Sequence, residues 1–379
     1  MTQDFSLFNN LVTDRVAAHR ELLNSKGSDK KYVGYLSNLI PVEMIHAAGM
    51  QPIMLCGDPK KSTELADEFM EAAFDPITRS VFNRLLKGDY NFLDLIVLPR
   101  ANDSYQRLYY YLCELHRKYP EYNIPPVFML NMLHSGRPST DKHNNKQFSR
   151  FATCLQVIAE TGISRAQIEQ AIASYNECRK QLHTFNQLRA QHQIPTSLID
   201  AVYATVQCTN VDRVNEALSG LNQAIATKPI SDDKPRLVIV GNGVDHSGLH
   251  EFIDQLGASV VGDYHFYGQQ FLSGLVDTEL EALTALQNHY CQAVKSTRTP
   301  PPDIDGPISS AKQQRADGIL FFFLQGEEAL TWQVPKQLAA TKAANIPCTV
   351  FYDCDYAVSI PELRSQLQTF IQSLNRERA

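Results

Sequence analysis

Short, nearly unbroken apolar runs alternate with segments of helical period along this chain. That pattern constrains the fold more than any other feature of the sequence. Residues 93–98 (LDLIVL), 236–240 (RLVIV) and 318–324 (GILFFFL) have strand length and almost no polar face. Strands of that kind are buried on both sides, as at the centre of a parallel sheet. The spacing predicts further strands at 31–36, 52–56, 126–132, 258–261 and 347–353. Helices are expected between them: 5–24, 41–49, 62–87 with a break at Asp75-Pro76, 103–118, 248–256, 276–294, 327–343 with an interruption at Pro335, and 361–374. Residues 146–226 are helical in period almost throughout, with Ser164 placed to cap one helix. Residues 230–235 (ISDDKP) read as a linker, and 297–308, with four prolines, as a loop. The fold class is therefore α/β, with two parallel-sheet, Rossmann-like halves joined by a helical region. The expected divisions are 1–145, 146–230 and 231–379.

Composition narrows the function. Lys plus Arg is 35 against 41 for Asp plus Glu, a net charge of −6 without basic blocks. That balance argues against a nucleic-acid partner. No apolar run has the length of a membrane span, and residues 1–15 lack a secretory pattern, so a cytoplasmic protein without a membrane partner is expected. Eight cysteines are present, none in a C-x-x-C pair, and their spacing explains no metal site.

Ligands of open parallel sheets bind beyond the carboxyl ends of the strands. Four such ends carry polar residues: Cys56-Gly57-Asp58, Arg100 to Asp103, Gly241 to Gly248, and Gln325 to Glu328. Each also reads as an ordinary strand-to-helix turn, with Asn102 or Asp103 as a helix cap and Glu327 and Glu328 as first-turn acids. Gly241 and Gly243 resemble the start of a phosphate loop, but Asp245 is an unfavourable neighbour for a phosphate. His246 and His250, four apart, could share a helical face, though no third metal ligand accompanies them.

At larger scale the residues resemble a family. KYVGY at 31–35 and IPVEMIHAAGMQP at 40–52 are similar to the opening signature of the 2-hydroxyacyl-CoA dehydratase and benzoyl-CoA reductase family. The resemblance continues at ITRS (77–80), NFLDLIVLP (91–99) and SYNECR (174–179). It extends through the turn at Gly241, LGASVVGD (256–263), ADGIL (316–320), NIP (345–347) and Asp355-Tyr356. The length is most like the smaller benzoyl-CoA reductase subunit. The family is implied to hold a 4Fe-4S cluster in each subunit through three cysteines. Counting from the motifs, those positions are Asp75, Asn102 and Glu327 here, and none is cysteine. Such clusters need soft thiolates, so the resemblance implies a degenerate iron–sulfur site and no cofactor in this chain. The family's tail pattern is also replaced, by SIPELRS at 359–365.

Three functions follow as expectations. The first is a cluster-less subunit that dimerises with a cysteine-bearing relative, which would carry the cluster, and helps form an acyl-CoA pocket. The second is a repurposed acyl-CoA or small-molecule binding protein, as a homodimer without redox chemistry. The third is an enzyme in which Asp75 and Glu327, with Asn102, Asp103 and Glu328 beside them, hold a hard cation or act as an acid/base pair. A cluster held instead by Cys56, Cys348 and Cys354 matches no family spacing. Arg79, Arg100, Lys295 and Arg298 are candidate partners for the phosphates of CoA.

Overall fold

The computed structural model describes residues 8, 15–24, 29–71, 74–135, 137–192, 194–227, 234–294, 302–359 and 361–378. The predicted helix over 5–24 is described at Phe8 and as α1, Arg15–Asn24. The N-terminal half then runs β1 (Tyr32–Tyr35), α2 (Val42–Ala47), β2 (Gln51–Met54), α3 (Glu64–Asp67), α4 (Pro76–Leu86), β3 (Leu95–Pro99), α5 (Asp103–Lys118) and β4 (Val127–Leu130). Four long helices follow: α6 (Pro138–Ala159), α7 (Arg165–Arg189), α8 (Thr196–Cys208) and α9 (Val211–Ala226). The C-terminal half contains β5 (Arg236–Gly241), α10 (Gly248–Gln255), β6 (Ser259–Tyr264), α11 (Ala282–Asn288), α12 (Gly306–Gln313), β7 (Gly318–Leu324), α13 (Val334–Ala343), β8 (Cys348–Cys354) and α14 (Pro361–Arg378).

Among the described residues the strands form two four-stranded, all-parallel sheets, in orders β2-β1-β3-β4 and β6-β5-β7-β8. The two orders are the same pattern repeated, which is the Rossmann-like arrangement expected of each half. The run at β7 shows why such strands lack polar residues. Ile319, Phe321 and Phe323 enter an apolar cluster with Val238, Val261 and Val334. Leu320, Phe322 and Leu324 enter the main core on the other face. Truncating a fully buried phenylalanine such as Phe322 to alanine costs roughly 3–5 kcal/mol in packed interiors.

Helix α7 ties the halves together. Its Arg179 pairs with Glu43 of α2 at 2.5 Å, and Tyr290 donates its hydroxyl to the other oxygen of Glu43 at 2.7 Å. Its Arg189 pairs with Asp263 of β6 at 2.7 Å. Both pairs are almost wholly buried. Ser164 closes the start of α7 in a capping box with Gln167.

Two expected helices start elsewhere. Residues 276–281 are not helical: the side chain of Asn176 both accepts from Val276 N and donates to Val276 O, taking up the backbone groups that a helix would use there. Glu281 then caps α11 by accepting from Thr284 N. Pro335 does not interrupt a helix but stands in the first turn of α13, where its missing N–H costs no hydrogen bond. None of the described helices is long and apolar enough to cross a membrane. All eight cysteines are free thiols.

Candidate functional site

Strand order reverses between β1 and β3 in the first sheet, and between β5 and β7 in the second. Crevices open at such switch points. Here the two crevices face each other across one cavity of about 720 Å³. Ser37 and Asn38 reach it from beyond β1, and Asn102 and Asp103 from beyond β3. Gly241 and Asn242 come from the end of β5, and Glu327 and Glu328 from beyond β7. Asp75, at the start of α4, completes the set. The structure therefore brings Asp75, Asn102 and Glu327, far apart in sequence, to one cavity, with Asp103, Glu328 and Gly241 around them.

Each of the three side chains has a local structural task. Asp75 accepts from Thr78 N at 2.8 Å and caps α4. Asn102 accepts from Tyr105 N at 2.8 Å and caps α5. Glu327 accepts from Leu330 N at 2.8 Å and from Asn242 Nδ2 at 2.6 Å, while Asn242 Oδ1 accepts from Leu324 N at 3.1 Å. Glu327 thus fixes the turn beyond β7 instead of sitting in the first turn of a helix. Gly241 has φ +126°, and a Cβ there would collide with the carbonyl oxygen of Phe322. That close strand approach requires glycine.

The donors are hard. Five carboxylates, Asp75, Asp103, Asp303, Glu327 and Glu328, line the cavity with Arg107 as its cation, and no cysteine does so among the described residues. An iron–sulfur cluster needs thiolates, and this set of carboxylate and amide oxygens does not fit one. Among the described residues no three His, Cys, Asp or Glu side chains gather as metal ligands either. Asp75 is chemically distinctive. Burial pushes its carboxyl above the usual aspartate range, against the pull of Thr78 and Ser104, and its Oδ2 is buried without a hydrogen-bond partner.

The other candidates lie outside this cavity. Arg79 pairs with Asp67 at 2.5 Å and also donates to the Glu71 carbonyl. Arg100 donates to Gln106 at 3.0 Å. Gly243, at φ +60°, packs against the His265 ring. Lys295 and Arg298 lie outside the described residues.

His246 and His250 share no ligand. His246 bonds the Tyr356 carbonyl at 2.7 Å and accepts from Gly248 N at 3.0 Å. His250 lies 2.7 Å from both Asp200 and Asp263. Burial alone would lower its pKa, but the two carboxylates override that and push it up to about 10. Asp245, the acid in the glycine-rich turn, accepts from Gly57 N at 2.8 Å and from the Tyr356 hydroxyl at 2.6 Å. It joins the two halves. Apart from the bond between His246 and Gly248, these partnerships connect residues farther apart in sequence, so spacing carried no sign of them.

Comparison with known proteins identifies the family. A sequence model described as 2-hydroxyglutaryl-CoA dehydratase, D-component, matches residues 38–374. The chain is 22% identical to the (R)-2-hydroxyglutaryl-CoA dehydratase subunit beta of Acidaminococcus fermentans, over 93% of this chain and 95% of that one. It is 22% identical to the (R)-phenyllactyl-CoA dehydratase beta subunit of Clostridium sporogenes, over 91% and 92%. It is 20% identical to a benzoyl-CoA reductase subunit of Thauera aromatica, over 91% of each. On this full-length match, the chain belongs to the family of the 2-hydroxyglutaryl-CoA dehydratase D-component.

Proposed function

We propose that this chain is a cluster-less subunit of a 2-hydroxyacyl-CoA dehydratase or benzoyl-CoA reductase type of assembly. It binds an acyl-CoA in the cytoplasm beside a cysteine-bearing family partner, which carries the 4Fe-4S cluster. The observation that carries this reading is the convergence of Asp75, Asn102 and Glu327 on one cavity. The positions that the family resemblance implies for cluster ligands line this one cavity, yet they carry carboxylate and amide groups that thiophilic iron disfavours. The relatives' names, as dehydratase beta subunits and a reductase subunit, support a role within an assembly. In this role the chain shapes and acidifies one wall of the acyl pocket, while electron delivery belongs to the partner.

Asp75 favours a second reading, a homodimer that binds a thioester or small molecule without redox chemistry. Burial that pushes the Asp75 carboxyl above the usual aspartate range, in a cavity it shares with Glu327, suits hydrogen bonding to a bound ligand instead of electron transfer. Anaerobic co-expression with a cysteine-bearing family chain from the same genome separates the two. The first reading predicts a stable complex of the two chains, with iron on the partner. Recovery of this chain only as a homodimer would replace it with the second.

A further inference from the structure

A strand at the edge of a sheet turns unpaired main-chain N–H and C=O groups outward, and folds normally cover or block them. Among the described residues, three of the four sheet edges are managed in this way. β2 is buried along its length, and Pro52, at an outward position, has no N–H to offer. At β6 the outward carbonyl of Val260 accepts from Arg189 at 3.1 Å. Beyond β4, His143 of α6 donates to the Asn131 carbonyl, and Asn144 bonds both Leu133 N and Leu133 O.

The fourth edge, β8, is open. Ile319 N donates to the Pro347 carbonyl, and Ile319 and Phe321 stand opposite Cys348 and Val350. In a parallel pair this register bonds residues 347, 349 and 351 to β7 and turns the main chain of Cys348, Val350 and Tyr352 outward. Residues 346–350 are all half-buried, whereas every residue of β7 is buried. The stretch 346–352 (IPCTVFY) holds no charged side chain to keep another strand away. The side chains of Cys348, Val350 and Tyr352 share the face covered by α13. Cys348 and Val350 pack on the apolar cluster there, and Tyr352, half exposed, stacks on its Phe323 with ring centroids 5.7 Å apart.

We propose that β8 is a pairing edge between two copies of this chain, joined antiparallel about a two-fold axis at Val350. The edge is complementary to itself in that register. Val350 faces Val350 of the second copy and exchanges both main-chain bonds with it, and Cys348 faces Tyr352 in each direction. The outward groups are then paired, no like charges meet, and each Tyr352 ring packs beside the small Cys348 and Val350 side chains across the axis. A peptide recognised by its charge would find no counter-charge along this strand, which leaves an identical edge as the occupant that fits. No residue of β8 lines the cavity between the sheets, so this contact goes beyond both readings of function and is compatible with either.

Sedimentation velocity of the whole chain over roughly a hundredfold range of concentration tests the proposal, because a two-copy contact responds to mass action. The expected result is a reversible shift from one copy to two. Val350→Pro removes the central outward N–H without touching a bond to β7, and should weaken the dimer at least about tenfold. Tyr352→Lys changes an exposed side chain, so it tests the same edge without a folding defect, and should weaken the dimer to a similar degree. A single copy at every concentration, assembly only with a cysteine-bearing family chain, or a dimer that Tyr352→Lys leaves unweakened would overturn the proposal. These outcomes are read without iron or ligand, so they are separate from the tests of function.

Discussion

Arg179 and Arg189 stand on the same helix, α7, and form buried ion pairs with opposite halves of the molecule, through Glu43 and Asp263. Helix α7 therefore acts as a splint between the two halves. Removing one member of a buried pair leaves the other charge uncompensated, at a cost of about 3–5 kcal/mol. Arg189→Leu should lower unfolding stability by that order in a urea titration. A change near zero would show that the pair does not brace the fold.

The Asp200–His250–Asp263 contact makes stability depend on pH. Folding raises the His250 pKa from 6.5 to about 10, because the two carboxylates outweigh the effect of burial. The stabilisation is complete below the unfolded value and fades as pH rises toward about 10. In urea titrations His250→Asn should be much less stable than the unaltered chain at pH 6, and the gap should narrow steadily by pH 10. A gap constant across that range would contradict a protonated His250.

Asp75 has the opposite dependence. Its carboxyl is raised above the ordinary 3.8, so the folded chain holds the proton more tightly than the unfolded one. Its contribution is most favourable at low pH and declines as pH rises through the interval above 3.8. Asparagine caps helices about as well as aspartate, so Asp75→Asn keeps the bond to Thr78 N while removing the titration. The variant should gain stability relative to the unaltered chain as pH rises from 4 to 7 in parallel melting curves. A flat difference would show that Asp75 is not forced toward its neutral form.

The proposal that Asp75, Asn102 and Glu327 stand at former cluster-ligand positions can be tested by introducing thiols there. A triple Asp75→Cys, Asn102→Cys, Glu327→Cys variant loses helix caps at Asp75 and Asn102, each worth about 0.5–2 kcal/mol. Anaerobic incubation with iron and sulfide should nevertheless give it bound iron and the visible absorption of a cluster, while the unaltered chain stays colourless. Failure of the folded triple variant to bind iron would mean that the three positions do not form one ligand set.

Much of the fold was legible because strand runs such as 318–324 are buried on both faces and carry no competing signal. The helix after Asn102 was equally plain, since a capping amide precedes an amphipathic stretch. The start of α11 was not legible: Asn176, distant in sequence, takes both backbone hydrogen bonds of Val276. The first cavity was legible only through motif positions, because Asp75, Asn102 and Glu327 look like ordinary turn residues, and Asp75 and Asn102 do serve as caps while Glu327 fixes a turn. The turns at Cys56 to Asp58 and Val244 to Gly248 were legible as strand ends, but not that folding sets them around one space with α1. Arg15 and Lys60 look like ordinary surface charges until folding places them around one space, and Arg79, an equally plausible cation by position, instead pairs with Asp67.

The most direct test of the central claim is iron and acid-labile sulfide analysis of the chain purified anaerobically, alone and then with its cysteine-bearing partner. The account predicts background iron in the chain alone and a full cluster only in the complex, located on the partner. About four iron and four sulfide per chain in the isolated protein would contradict it.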